Sequence, residues 1–545
     1  MTTSRQPLVL LLSSLAMAVS LAHAQTVVGI WTNRFNTGTA YDANAWRLAV
    51  DPNGDVVVAG SAVRGVSRAY ATIKYSNSGA ALWTNYYNGP ANGPDNATAV
   101  AVDRNGNVFV TGNSFAHPMF DYDIATVAYS SAGVALWTNR APASTAYDEE
   151  PVAIAVDSNG DVLVTGYSTP TNTSIAGSDY VTVKLSGTNG AVRWTKYFSR
   201  GAGTFDQPRA VAVDAKGDVI VTGRSQVLTP SRSYCATIKY AGTNGTAIWT
   251  NYYDLNYYYN GPKYPGGPAA LALDVNGNAL VAGCMVSRFG DLDYLTIKYS
   301  GTNGAQLWSQ FYWWSGGGTS FVGEDRATAV AVGANGKVYV TGYSLATGTG
   351  LDYATLAYSG TNGAQLWERR YVGPGGDDHP LALAVAPNGN VIVTGGSVAL
   401  GGTNDFTTIA YTGTTGTPVW TNRYNGPGNG DDYAVAMAVD GRGNAVVTGS
   451  STGSSGKYDF ATIKYGAVPV PITVVSARVT SGVFTAAFTN TPGASFTAFA
   501  TTNPALGLSN WTSLGPVTET APGQFQFSDA RAGTAPRRFY RVRCP

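Results

Sequence analysis

The stretch ATAVAVDRNGNVFVTG (residues 97–112), followed by DIATVAYSSAGVALW (123–137), decides how the chain is read. The same pattern returns eight times at a spacing of roughly fifty to sixty residues. Each copy holds four short runs. The first alternates Ala and Val before an Asp, as at 99–103, 210–214 and 436–440. The second reads V-x-V-T-G-x-S, as at 108–114 and 338–344. The third is D-Y-A-T-I-K-Y or close to it, as at 352–358 and 459–465. The fourth follows Trp83, Trp137, Trp194, Trp249, Trp308, Trp367 or Trp420.

Runs rich in β-branched and aromatic residues, bounded by Gly, Asn and Asp, are strands joined by hairpins. Apolar residues on both faces of a run fit sheets sandwiched between neighbouring sheets. Small alanines in the first run suit a strand near a narrow axis. A repeat of four strands at this period predicts β-propeller blades. The turn Asp51-Pro52-Asn53-Gly54-Asp55 and its relatives at 103–107, 157–161 and 274–278 read as tight hairpins. Asn-Gly supplies positive φ there, and the Asp side chain caps the turn. A calcium loop is the sharper alternative, but the twelfth-position Glu of such loops is missing from every copy.

A second turn, Gly301-Thr302-Asn303-Gly304 and its relatives, leads into Ala-x-Leu-Trp. This stretch resembles the tryptophan-docking motif of quinoprotein-type propellers. The repeat as a whole, over roughly residues 27–466, resembles the bacterial secreted β-propeller repeat family often labelled seven-bladed. The resemblance implies a fold rather than an activity. Counting the copies argues for eight blades here. The first tryptophan strand (29–35) precedes the first Ala-Val strand, and the repeat ends on a third strand (461–465). Pairing these two would close the ring and remove both free sheet edges.

The expected fold is therefore all-β: an eight-bladed β-propeller closed by the N-terminal strand, followed by a small β-sandwich. Residues 1–24 read as a signal peptide, with Arg5, an apolar stretch and a small-x-small site at Ala22-His23-Ala24. The propeller is placed at 25–466 and a Pro-Val linker at 467–471. Alternating runs within 472–545 read as the small sandwich. Asn510-Trp511 and the terminal Arg538-Phe539-Tyr540-Arg541-Val542 resemble small fibronectin-III-like modules at the ends of secreted bacterial proteins.

Composition narrows the function. A net charge of +1, with 12% charged residues, leaves no basic face for nucleic acid. No segment after the leader is long and apolar enough to span a bilayer. Three cysteines, Cys235, Cys284 and Cys544, form no metal spacing, and a Cys235–Cys284 bridge stays open. Beyond the leader only His117 and His379 remain, which disfavours His-based metal sites and triads.

Two sets of residues stand out on the face that carries the loops entering the first strand. One is a recurrent carboxylate at Asp95, Glu149, Asp206, Asp325, Asp378 and Asp432, doubled by Asp377 and Asp431. A second series precedes the third strand: Asp121, Asp179, Asp293, Asp352, Asp405 and Asp459. The first set either caps turns within each blade or forms a cation site, with calcium as the candidate; no other cofactor is expected. The other standout is aromatic and asymmetric. Tyr257, Tyr258, Tyr259 and Tyr264 lie in one long loop, Trp313 and Trp314 in the next. Such rings suit a carbohydrate or a protein partner, or else pack on one another.

These features point to a secreted, non-catalytic binding or scaffold propeller, at the cell surface or in the periplasm. It would be monomeric and hold a polysaccharide or protein partner on the acid-and-aromatic face. Two rivals remain. One is an enzyme, quinone-dependent or carbohydrate-active, although no vicinal cysteine pair and no asymmetric Glu–Asn–Asp cluster is present. The other is a structural or adhesive surface protein.

Overall fold

A computed structural model describes residues 27–543 apart from 37, 39–40, 66, 118–120, 141–146, 171–176, 229–230, 257–265, 288, 315–322, 468–472, 491–495, 506–509, 522 and 533–537. The expected signal peptide and almost all of the expected linker lie outside the described residues. The chain divides into a compact unit over Val27–Val468 and a second containing Pro469–Pro545.

The first unit is an all-β propeller. The described residues form eight four-stranded antiparallel sheets. We number these blades 1 to 8 in chain order, spanning 44–87, 95–140, 147–198, 205–254, 267–312, 325–371, 378–424 and 432–467. Blade 8 takes its outermost strand from the N-terminal segment Val27–Phe35, which pairs with Tyr458–Ala467. In that pairing Gly29 faces Tyr465 and Arg34 faces Ala461. The innermost strands pack on one another in cyclic order, and that of blade 8 returns to Asn44–Val50 of blade 1. A bulge interrupts each innermost strand, as between Pro208 and Ala210.

The core lies between blades rather than within one. Leu163 and Tyr180 of blade 3, for example, pack on Val219, Val221 and Ile238 of blade 4. This explains why both faces of most strands are apolar. Each such side chain, fully buried, contributes about 1.5–3 kcal/mol.

One rim of the ring carries the two tight turns of every blade. Asp51 Oδ1 accepts the backbone N–H groups of Asn53 and Asp55, at 2.8 and 2.9 Å. Asp103, Asp157, Asp214, Asp274 and Asp440 repeat this arrangement. Their second oxygens meet a buried lysine in five blades: Lys74–Asp51 at 2.8 Å, and Lys184–Asp157, Lys239–Asp214, Lys298–Asp274 and Lys464–Asp440 at 2.7 Å. An ammonium thus stands where the calcium-loop reading would put a metal ion.

The tryptophans lock this rim from blade to blade. Trp83 Nε1–H donates to Ser131 O of the next blade, and Trp137, Trp308 and Trp367 donate to the carbonyls of Gly187, Gly360 and Gly413. The indole of Trp83 lies over Gly133, whose φ is +84° and where a Cβ would stand 2.6 Å from Trp83 Cγ. Only glycine meets both demands.

The second unit contains a four-stranded sheet, with strands Thr473–Thr480, Val483–Thr489, Gln524–Asp529 and Thr518–Ala521, and a three-stranded sheet, with Thr512–Pro516, Thr497–Thr501 and Phe539–Arg543. Phe488 and Phe525 from the first and Ala498 from the second share one core with Phe496. This is sheet-on-sheet packing.

Candidate functional site

The opposite rim carries the loops between the second and third strands and those between blades. There the recurrent carboxylates act as loop caps. Asp95 accepts the N–H groups of Gly89 at 2.6 Å and Phe115 at 2.9 Å. Asp432 accepts those of Gly426 and Thr452, at 2.5 and 2.9 Å. Asp206 holds Arg200 N and Thr204 Oγ1, Asp325 holds Trp314 N, and Asp378 holds Gly373 N. Glu149 Oε1 accepts from Ser168 Oγ at 3.5 Å. Each acid is buried and turned into its own blade and the loop entering it.

Among the described residues no three His, Cys, Asp or Glu side chains stand together as metal ligands. The structure therefore does not assemble Asp95, Glu149, Asp206, Asp325, Asp378 and Asp432 into a cation site. Backbone N–H groups occupy both oxygens of Asp95 and Asp432 and one oxygen each of Asp206, Asp325 and Asp378. The preceding acid performs a second task. Asp42, Asp148, Asp377 and Asp431 each reach back to a backbone N–H of the previous blade: Tyr458, Tyr122, Leu351 and Asn404, at 2.9 to 3.0 Å. Asp42 and Asp148 were not singled out from the sequence.

A further cluster was missed there altogether. Arg370 Nη2 donates to Asp352 Oδ2 at 2.9 Å and to Ser344 O, while its Nη1 reaches Ser344 Oγ and Tyr312 OH of the preceding blade. Arg34, Arg140 and Arg423 make the same set with Asp459, Asp123 and Asp405. These arginines staple blades 8, 2, 6 and 7. Asp123, facing Ser114, is the structural equivalent in blade 2, and Asp121 is not. The error in register came from two acids in one loop. The missed signal was Trp-Thr-Asn-Arg, present at Arg34, Arg140 and Arg423.

In blades 1, 3, 4 and 5 the arginine position holds Tyr86, Tyr197, Tyr252 and Phe311. Three of these are consecutive in the ring, and they are 54%, 45% and 39% exposed at Tyr197, Tyr252 and Phe311. Trp313 and Trp314 follow Phe311 and are 55% and 41% exposed. Arg370 sits 4.6 Å over the Trp314 ring. Arg200 stacks on Tyr234 at 3.5 Å and on Tyr252 at 4.8 Å. Tyr257, Tyr258, Tyr259 and Tyr264 lie outside the described residues.

Loss of the staple changes the acids left behind. Asp293 of blade 5 keeps its place opposite Met285 but has no arginine. Burial, then Asp291 and Asp325, push its carboxyl up to about 7. Burial raises Asp179 of blade 3 as well. Asp325 rises to about 6 through burial, although Ser344, the Trp314 N–H and Arg370 hold it down. Burial raises Asp95, Asp378 and Asp432 of the stapled blades too, so the exposed rings, and the arginine missing beside Asp179 and Asp293, are what set blades 3 to 5 apart. Cys235 and Cys284 are free and buried in blades 4 and 5, so the bridge left open by the sequence does not form.

The eight sheets and their cyclic packing define a β-propeller. Residues 82–115 match the family model of the β-propeller repeat, and residues 295–492 match that of the outer membrane protein assembly factor BamB. Among solved structures, the quinohemoprotein alcohol dehydrogenase ADHIIG of Pseudomonas putida HK5 is similar at 11% identity. It covers 84% of this chain and 79% of its own, with a TM-score of 0.50. Sqt1 of Chaetomium thermophilum is similar at 11% identity, covering 80% of this chain and 97% of its own, with a TM-score of 0.50. BamB of Moraxella catarrhalis, at 12% identity, covers 81% and 99%, with a TM-score of 0.42. A search of curated proteins finds no match. At these identities the likeness is one of fold. No helix among the described residues is long and apolar enough to cross a membrane.

Proposed function

We propose that the chain is a secreted, non-catalytic binding scaffold that holds a polysaccharide or a protein partner on the arc formed by blades 3 to 5. The observation that carries this reading is the interruption of the arginine staple in three consecutive blades. A defect shared by neighbours leaves Tyr197, Tyr252, Phe311, Trp313 and Trp314 exposed along one arc. Scattered exposed rings need no explanation, but neighbouring ones do. Their faces suit sugar C–H groups or the aromatic anchor of a protein interface. The leader expected at 1–24 and the match to BamB over 295–492 support a place outside the cytoplasm.

A glycan array probed with the fluorescently labelled full chain tests the reading. Retention on one sugar class, lost in Trp313→Ala/Trp314→Ala, is the expected result for a polysaccharide partner. Retention unchanged in that variant overturns the assignment of the arc. An array without retention directs the search to a protein partner.

One observation favours a second reading, a carbohydrate-active enzyme. Asp293, held near pH 7 beside exposed aromatics, has the character of a general acid. Release of reducing sugar by the full chain, abolished in Asp293→Asn, would establish it.

A further inference from the structure

A cavity of about 260 Å³ opens between the starts of the innermost strands of blades 4, 5 and 6. Its walls carry three guanidinium groups, Arg209, Arg224 and Arg326, and its floor is Gly266, Gly267 and Cys284. The repeat explains how it arises. At one pair of facing positions blade 3 has Glu150 and Tyr167, blade 4 Gln207 and Arg224, and blade 6 Arg326 and Tyr343. Blade 5 has Gly267 and Cys284 there. It also has Gly266 at the place of the recurrent carboxylate. Blade 5 is thus notched at its inner edge, and each neighbouring blade turns an arginine towards the notch. Arg209 enters from the bulge of blade 4.

The charges in the notch do not balance. No ion pair or hydrogen bond joins Arg209 or Arg224 to a carboxylate among the described residues. Burial, followed by the charge of Arg209, lowers the pKa of Arg224. A guanidinium nevertheless stays protonated at any physiological pH. Arg326 has Glu324 Oε1 at 2.6 Å from its Nε, but that buried Nε has no hydrogen-bond acceptor. Burial pushes the Cys284 thiol up, so it brings no negative charge. Thr328 Oγ1 is committed to the carbonyls of Thr341 and Pro380. Two positive charges are left facing a space smaller than a drug-sized pocket, which begins at about 300 Å³. Guanidinium forks that line one small cavity suit the planar or tetrahedral oxygens of carboxylate, phosphate or sulfate.

We propose that this notch binds a small dianion of the phosphate, sulfate or dicarboxylate class. The site is independent of the partner-binding reading given to the exposed arc. The glycine at 267 is essential to it. A Cβ there would meet Arg224 Cβ and Cδ at 3.8 Å, an ordinary contact, so a longer side chain can be accommodated and fills the notch. Glu150 already occupies the same position in blade 3.

The test is a thermal-shift and calorimetric titration of the full chain with sodium phosphate, sodium sulfate and sodium succinate, each matched in ionic strength by sodium chloride. A saturable rise in Tm with at least one dianion over chloride is expected, because a ligand selective for the native state stabilises it. Phosphate and sulfate acting alike identify a tetrahedral ligand; succinate acting alone identifies a dicarboxylate. Arg209→Gln and Arg224→Gln should each weaken binding by about tenfold or more, the loss of one charge-assisted contact. Gly267→Glu should raise Tm in chloride and abolish the response, since it places a carboxylate between the arginines. The proposal is overturned if no dianion exceeds chloride. It is equally overturned if the response persists unchanged in Arg209→Gln/Arg224→Gln or in Gly267→Glu.

Discussion

The two rims of the ring are built from the same repeat and treat their charges differently. On the turn rim a lysine joins a buried aspartate in blades 1, 3, 4, 5 and 8, and tryptophans tie each blade to the next. Blades 2, 6 and 7 carry Ala128, Ala357 and Ala410 at the lysine position, and their aspartate or its equivalent has no such partner among the described residues. On the loop rim an arginine plays the corresponding part only in blades 2, 6, 7 and 8. In blades 3 to 5, where the staple is missing, rings are exposed, and the Asp179 and Asp293 carboxyls left without an arginine are pushed up by burial. Regularity serves stability, and the departure from regularity supplies a surface that could discriminate between ligands.

The largest effect should come from breaking the regular rim. Lys184→Met leaves Asp157, whose side chain is fully buried, without its cation. Removing one partner of such a pair costs about 3–5 kcal/mol. Equilibrium denaturation of the full chain should show a fall of this order in the propeller transition. A change below about 1 kcal/mol would mean that the rim is not a stability element. Arg370→Ala on the other rim should cost less, about 1–3 kcal/mol, because water can reach the guanidinium. It should also free Trp314 from its cation, which steady-state tryptophan fluorescence can follow.

A smaller effect sharpens the comparison within the loop rim. The folded-state carboxyl of Asp293 lies near 7, against an ordinary value of 3.8. The folded state binds this proton more tightly than the unfolded chain does. The stability it contributes is complete below about pH 4 and is lost as pH rises through 7. Asp293→Asn should therefore flatten the dependence of Tm on pH between 4 and 8, and raise Tm at pH 8 by about 1 °C for a relief on the order of 1 kcal/mol in a propeller of this length. Phe311→Arg rebuilds the staple of blade 5. It should remove the same pH dependence by holding Asp293 ionised. Unchanged pH profiles in both variants would show that the missing arginine does not set the state of Asp293.

Much of the turn rim can be read in the sequence because its signals are local. Asp-x-Asn-Gly carries its own cap and its own glycine within five residues, and the tryptophan strand repeats in every blade. The loop rim is harder to read. The partners of Arg370 lie 18, 26 and 58 residues away, on two strands of its own blade and on the blade before. No window of sequence brings them together. The recurrent acids were visible, but their work was not, since it consists of accepting backbone N–H groups that any residue supplies. The notch in blade 5 is a deficit, glycine and cysteine where blades 3, 4 and 6 have two large side chains, and only register against those blades reveals it.

The central claim, that the exposed arc recognises and the sealed rim stabilises, is tested most directly by Trp313→Ala/Trp314→Ala read in two ways. The account predicts an unfolding free energy within about 0.5 kcal/mol of the parent chain, as for exposed side chains, together with loss of retention on the glycan array. A destabilisation comparable to that of Lys184→Met would contradict it, because the rings would then be packing elements rather than a surface held open for a partner.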